Sequence, residues 1–369
     1  MFTLELKGAF LGEELEYKEN VNVEIDKQGN IIDVYERRSG KGSLIALPAL
    51  TNAHIHSADY AFLETGNSLS LENLVAPPSG LKHKLLASVP PEKIKSARKE
   101  VVKLSKRAGV ARLVDFVEKD PREAKVRMKG FQHLILGRPQ EGISVDELYK
   151  FVDGIGLPDV VSYSKEELRA LGQKFRDKIV MVHVSETKKL HEIHDLEISI
   201  ETLKPRAVVH ATFLEANEIK MLAEEKIGAV LCPRSNLWFS VGSVPKIDVM
   251  LEEGVLLALG TDNAGWLKPD IWREMEVAAL ILRQQNKNFN KPLEILKMST
   301  LNPIKMLGLS DISIKRGSRA SILLLDSRMV GIEKAGDPAW AIVKRGGPEA
   351  VVGVVNHEAI RDHLLDNDD

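Results

Sequence analysis

Apolar and polar residues alternate in short runs at both ends of the chain and in longer, mixed periods between them. Near the start, "FTLELKGAFL", "VNVEID" and "IIDVYER" carry the two-residue period of half-buried strands, with Gln28-Gly29-Asn30 marking a hairpin turn before the last. Toward the end, "SRASILLLD", "AIVKRGG" and "VVGVVN" are again short β-rich runs cut by Gly and Pro. The two ends predict one small composite β-sandwich domain, 1–47 plus 315–369, built from both termini.

The middle, 48–314, alternates apolar runs with amphipathic helical stretches. The runs are "SLIALPALTNAH", "GVARLVDFV", "FQHLILG", a weak one near "FVDGIGLP", "KIVMVHV", "RAVVHAT", "GAVLCP" and "GVLLALGTD". Helical patterns such as "LEANEIKMLAEEK" and "WREMEVAALILRQQ" separate several of them, and Ser164 with Glu167 forms a capping box. This alternation over roughly 250 residues predicts an α/β fold, a (β/α)8 TIM-type barrel. An open doubly wound sheet would alternate in the same way. It usually carries a Gly-rich phosphate turn after its first strand, and no such turn is present.

Charge narrows the partners. With 51 basic and 53 acidic residues the net charge is -2, which implies no nucleic acid and no anionic membrane. No stretch approaches the ~20 apolar residues of a membrane span. The N-terminus, "MFTLELKGAF", lacks the basic head and apolar core of a signal peptide. The single cysteine, Cys232, excludes an intramolecular disulfide, so a cytoplasmic location is expected. Cys232 itself sits in an apolar run and reads as a core thiol.

Candidate chemistry collects where the apolar runs stop. In a barrel, reactive groups sit at the C-terminal strand ends. The first run ends in His54 and His56, the fifth in His183, the sixth in His210 and the eighth in Asp262. Side chains at i and i+2 share a strand face, so His54 and His56 project together toward the axis. Two such imidazoles can bind one metal, and His183 with Asp262 would complete the protein ligation, leaving a position open for water. Any one of these histidines alone would read as a buried, hydrogen-bonded side chain.

The pattern resembles the amidohydrolase superfamily, within it the cytosine deaminase, guanine deaminase and triazine chlorohydrolase branch. The matching segments are "LPALTNAHIH", "VMVHVSET", "VVHATFLEANEIKMLAEEKIGAVLCPRSN", "EEGVLLALGTD" and "STLNPIKMLGL". The resemblance implies one divalent metal ion, Zn2+ or Fe2+, held by His54, His56, His183 and Asp262. It makes Glu186 the general acid/base and His210 the residue that orients and polarises the attacking water, with Asp262 also passing a proton to the leaving group. A carboxylic acid at Glu186 suits attack on a heteroaromatic ring, where a ring nitrogen must gain a proton as the tetrahedral centre forms.

Weaker candidates surround this set. Lys82 and His83 follow the first strand in a loop whose turn is "VAPPSG"; each is a candidate substrate contact, weighed against simple surface exposure. Arg138, after "LILG", could hold an anionic or carbonyl group, and Glu118 occupies the equivalent place after the second strand. "CPRSN" resembles the family's seventh-strand motif, which implies structural or substrate contacts for Asn236 and Ser235. His191 and His194 read as a solvated helix face, and His357 and His363 carry no case. The expected activity is hydrolytic deamination of a nucleobase, nucleoside or related amino-heterocycle, a small-molecule substrate. Ring opening of a cyclic amide, as in imidazolonepropionase-like enzymes, is the alternative, and a non-catalytic binding or scaffold barrel the remote one. Assembly as a homo-oligomer, dimer or tetramer, is left open, and "GTDNAGW" departs from the branch after its aspartate.

Overall fold

The computed structural model describes residues 1–40, 42–76 and 79–357. Its centre is a nine-stranded parallel sheet. In spatial order the strands are Leu257–Leu259, Gly228–Leu231, Ala207–His210, Ile179–Val184, Gly154–Leu157, Gln132–Gly137, Val110–Phe116, Leu50–His56 and Asp262–Asn263. The stretch from Leu257 to Asn263 therefore appears at both edges. Gly260 N–H donates to Leu231 O at 2.9 Å, and Thr261 N–H donates to His54 O at 2.9 Å. The sheet curls until its first and last strands meet, consistent with a TIM-type barrel. The weak run resolves as Gly154–Leu157, the fourth strand of the series.

Physical patterning explains the elements. Most sheet strands are buried along their whole length, as parallel strands covered on both faces must be. Ala53, Val114, Leu136, Met181, Val209 and Val230, each from a different strand, share one apolar cluster. The helix Pro91–Arg107 buries Ile94, Ala97, Arg98, Val101, Val102 and Ser105, a stripe at three- and four-residue spacing. Proline opens its first turn and Gly109, at φ 81°, follows its end in the left-handed conformation that glycine adopts without a Cβ penalty. The capping box of Ser164 and Glu167 starts the helix Lys165–Lys174.

Both chain ends contribute to a second sheet, ordered Val351–Asn356, Ser321–Asp326, Leu44–Pro48, Gly8–Leu11 and Glu16–Glu19. A three-stranded sheet, Phe2–Glu5, Val21–Ile25 and Ile31–Glu36, accompanies it, and the expected hairpin joins its last two strands. Val23 and Ile31 from the smaller sheet share a buried cluster with Ala9, Ala46 and Ile322 from the larger.

Two expectations change. The run "SLIALPALTNAH" is not one strand: Leu44–Pro48 joins the five-stranded sheet, Ala49 intervenes, and Leu50–His56 joins the parallel sheet. The run "AIVKRGG" lies in a helix, Pro338–Arg345, because Asp337 caps it by accepting from Ala339 N and Trp340 N, and Pro338 opens it. That helix packs on Ile271–Gln285 and Pro292–Ser299, helices that flank the parallel sheet. Residues 358–369, with His363, and residues 77–78 of "VAPPSG" lie outside the described residues.

Candidate metal centre and its cavity

Strand ends deliver the site. His54, His183, His210 and Asp262 are buried, and one ligand atom from each lies within 4.8 Å of all the others. Among the described residues this is the one group of His, Cys, Asp and Glu placed so closely. The backbone turns sharply there. Ser185, His210, Ala211 and Asp262 all have positive φ, between 49° and 73°, which L residues rarely adopt. Such strain persists where packing over-determines it, and it clusters at functional sites.

Spacing within the group matches a shared cation. Asp262 Oδ1 is 3.2 Å from His54 Nε2 and 3.4 Å from His56 Nε2. Donors 2.0–2.1 Å from a zinc ion at tetrahedral angles sit roughly 3.3–3.4 Å apart. His56 falls outside the 4.8 Å group, and His210 falls inside it, so the structure does not reproduce the expected quartet of His54, His56, His183 and Asp262 as a closed set. The rings nonetheless gather: His56 and His183 stack at 5.6 Å, and His183 and His210 at 5.2 Å.

Protonation suits ligation. His183 Nδ1 lies 2.8 Å from Leu157 O; a carbonyl only accepts, so Nδ1 carries the proton and Nε2 keeps its lone pair. Burial lowers the His54 pKa to about 4 and holds that of His183 well below the usual range, so both are neutral imidazoles near pH 7. For Asp262, burial pulls the pKa upward, but the hydrogen bond from His54 and the nearby histidines outweigh it, leaving a carboxylate well below its ordinary value. The neutral imidazoles of His54 and His183 beside the Asp262 carboxylate form a donor set that fits one divalent cation.

Neighbouring groups fix these side chains. Ser235 Oγ donates to Asp262 Oδ2 at 2.5 Å, and Asn263 Nδ2 donates to the same oxygen at 2.8 Å. His56 Nδ1 approaches Glu118 Oε1 at 2.6 Å, out of line for an ideal hydrogen bond. Asn52 Nδ2 donates to Thr261 Oγ1 at 2.7 Å and its Oδ1 accepts from Thr261 N at 3.1 Å, which locks the first strand to the last.

A cavity of about 220 Å³ opens over this centre. Glu186 lines it, with Oε1 3.4 Å from His210 Nε2, and burial raises the Glu186 pKa above the usual carboxylate value. His83, Arg138 and Lys82 also line it, together with Leu71, Val75 and Val161. Lys82 is not on the surface: it is 2 % exposed and paired with Asp59 and Glu118. Asn236 is absent from the cavity lining; its Nδ2 donates to Thr212 Oγ1 at 2.8 Å, a buried structural contact. Glu118 joins the centre through His56.

Sequence reasoning missed Asp59 and Asn263. The "NAGW" departure was their signal: Gly265 passes where a Cβ would lie 2.8 Å from Asp59 O, and Trp266 Nε1 donates to Thr65 O at 2.9 Å. That segment therefore ties the last strand to the loop after the first. Elsewhere, His191 Nε2 pairs with Glu218 at 2.9 Å, away from the centre, and Cys232 is buried with its thiol pKa pushed well up by burial. No helix among the described residues is long and apolar enough to cross a membrane.

Known proteins place this arrangement. A provisionally named aminohydrolase of Methanothermobacter thermautotrophicus is 28% identical over 365 residues, covering 89% of this chain and 91% of the relative. A 5-methylthioadenosine/S-adenosylhomocysteine deaminase of Pyrococcus horikoshii is 27% identical over 358 residues, covering 85% of this chain and 79% of its own length. Among solved structures, an adenosine deaminase from Xanthomonas campestris with bound zinc superposes with a TM-score of 0.82 at 18% identity, covering 99% of this chain and 96% of that one. Residues 45–354 match the model of the amidohydrolase family, and the chain belongs to that family.

Proposed function

We propose that this protein deaminates an adenosine-like nucleoside or related amino-heterocycle by hydrolysis, using one Zn2+ or Fe2+ at His54, His56, His183 and Asp262, with His210 alongside. The observation that carries the reading is Glu186, a partly buried carboxyl that lines the cavity with Oε1 3.4 Å from His210 Nε2. A divalent cation there supplies Lewis acidity, lowering the pKa of water from 15.7 to roughly 7. Glu186, its carboxyl favoured in the protonated form by burial, holds a proton and delivers it to a ring nitrogen as water adds to the amino-bearing carbon. His210 faces both Glu186 and Asp262 Oδ2, the latter at 4.0 Å, and orients the attacking water between them. Asp262, kept ionised, takes a proton from that water and passes it to the departing amine. The C–N bond breaks and ammonia leaves; the hydroxyl on the ring carbon returns its proton to Glu186, so the carbon keeps the oxygen as a carbonyl and both carboxyls regain their starting states.

Relatives named as deaminases of 5-methylthioadenosine and S-adenosylhomocysteine support the substrate class. His83 and Arg138 on the cavity wall serve as substrate contacts in this reading. The reading extends to a composite sandwich domain, 1–47 plus 315–369, beside a catalytic barrel, 48–314, in a cytoplasmic protein. Ammonia release from metal-loaded protein, measured across adenine nucleosides, free purines and pyrimidines, tests it. Stoichiometric ammonia from at least one is expected; hydrolysis confined to cyclic amides, with no ammonia, overturns it.

A further inference from the structure

A buried lysine needs a reason. Lys82 lies in the first turn of the helix Leu81–Ser88, in the long connection between the first two parallel strands, yet only 2 % of it is exposed. Burying an ammonium costs several kcal/mol unless it is paired. Lys82 Nζ lies 2.7 Å from Glu118 Oε1, 2.9 Å from Asp59 Oδ2 and 3.2 Å from Asn263 Oδ1. The Asn263 contact is a hydrogen bond, and the two carboxylates lie within ion-pair distance of the same ammonium. These partners hold the ammonium back among protein groups, although the side chain lines the cavity.

Two of those partners lead one step further, to the metal centre. Glu118 Oε1, which takes the Lys82 contact, also faces His56 Nδ1 at 2.6 Å. A carboxylate in that place keeps the His56 proton on Nδ1 and leaves the Nε2 lone pair for the centre. Asn263 accepts from Lys82 through Oδ1 and donates from Nδ2 to Asp262 Oδ2 at 2.8 Å. Reversing that amide would set its NH2 against the ammonium and its oxygen against the carboxylate, so Lys82 fixes which way Asn263 points.

We propose that Lys82 is a positioning residue for the metal site, aligning His56 through Glu118 and Asp262 through Asn263, and so coupling ligands from the first and last strands through one ammonium. The inference rests on the metal-site reading above. Asp59 completes the device by supplying a second carboxylate, in an ion pair with Lys82, from the segment that follows His56.

The test is Zn2+ affinity, measured by chelator competition on folded apo protein, for the wild type, Lys82→Met, Glu118→Gln, Asn263→Ala and the Lys82→Met/Glu118→Gln double variant. Removing such outer partners typically weakens metal affinity by roughly 10–100-fold. Lys82→Met is expected in that range, Glu118→Gln and Asn263→Ala each at a smaller loss. The double variant is expected to match Lys82→Met closely, because Glu118 acts on the path that Lys82 already controls. Lys82→Met with Zn2+ affinity within about twofold of wild type overturns the proposal, whether it lowers stability alone or raises KM as a substrate contact would. Should Lys82→Met fail to fold, Glu118→Gln and Asn263→Ala decide: unchanged affinity in both overturns it, and weakened affinity in both supports it. Wild-type protein that binds no divalent cation overturns the metal-site reading, and this inference with it; wild-type binding with unaltered variants overturns the inference alone.

Discussion

Gly260→Ala is the sharpest small perturbation of this architecture. Gly260 lies between the strand Leu257–Leu259 and the ligand Asp262, where the last strand runs against the first. A Cβ there would sit 2.7 Å from His54 Cβ, 2.9 Å from His54 O and 3.0 Å from His54 N. Carbon pairs prefer 3.5–4.0 Å, and the obstructing atoms are backbone or Cβ, which no rotamer change can move. Its φ is not left-handed, so the effect is steric alone. The strands must part by roughly 0.5–1 Å, and overpacking of this kind costs about 1–3 kcal/mol. The displaced residue is a candidate ligand, and a misplacement of about 1 Å can cost on the order of 100-fold in rate. Urea unfolding and Zn2+ competition would read both losses. Gly353→Ala, where nothing lies within 4 Å of the added carbon, is the control and should change stability by less than about 1 kcal/mol. Gly260→Ala as stable as Gly353→Ala, with wild-type metal affinity, would refute the reasoning.

Other expectations follow from single contacts. Ser235→Ala removes the 2.5 Å donation to Asp262 and should weaken Zn2+ binding several-fold while thermal unfolding shifts little; equal affinity would show the contact to be incidental. Burial, aided by the charges of Lys82 and Arg138, lowers the His83 pKa to about 4. From pH 6.5 down to 4 the unfolded chain binds a proton that the folded one refuses, so stability falls as pH falls; the limit of about 3 kcal/mol is discounted to ~1–2 for partial exposure. His83→Gln should flatten that slope in urea titrations, and an unchanged slope would assign it elsewhere. Arg138→Ala should raise KM with kcat little altered in steady-state kinetics, since Arg138 lines the cavity apart from the metal cluster; an equal fall in kcat and kcat/KM would move it into the chemistry.

The chemistry was more legible in the sequence than the scaffold's seams. His54, His183, His210 and Asp262 could be read because each ends an apolar run, and parallel strands bring their ends to one face. The division at Ala49 could not, because Leu44–Pro48 and Leu50–His56 are both buried and apolar, with nothing between them but one alanine. Short apolar runs are ambiguous between strand and helix, which is how "AIVKRGG" misled; the decisive cap, Asp337, lies just upstream of it. The burial of Lys82 was hidden because its compensating charges, Asp59 and Glu118, come from distant parts of the chain. Spacing along the chain reveals ligands on strands, but it does not reveal a charge network that forms only when three loops converge.

The central claim is that the strand-end cluster holds one catalytic divalent cation. Metal content by mass spectrometry of purified wild type and of Asp262→Ala, each dialysed after Zn2+ loading, tests it most directly. One equivalent in the wild type and much less in folded Asp262→Ala is predicted. Equal metal in both, or none in the wild type, would contradict the account.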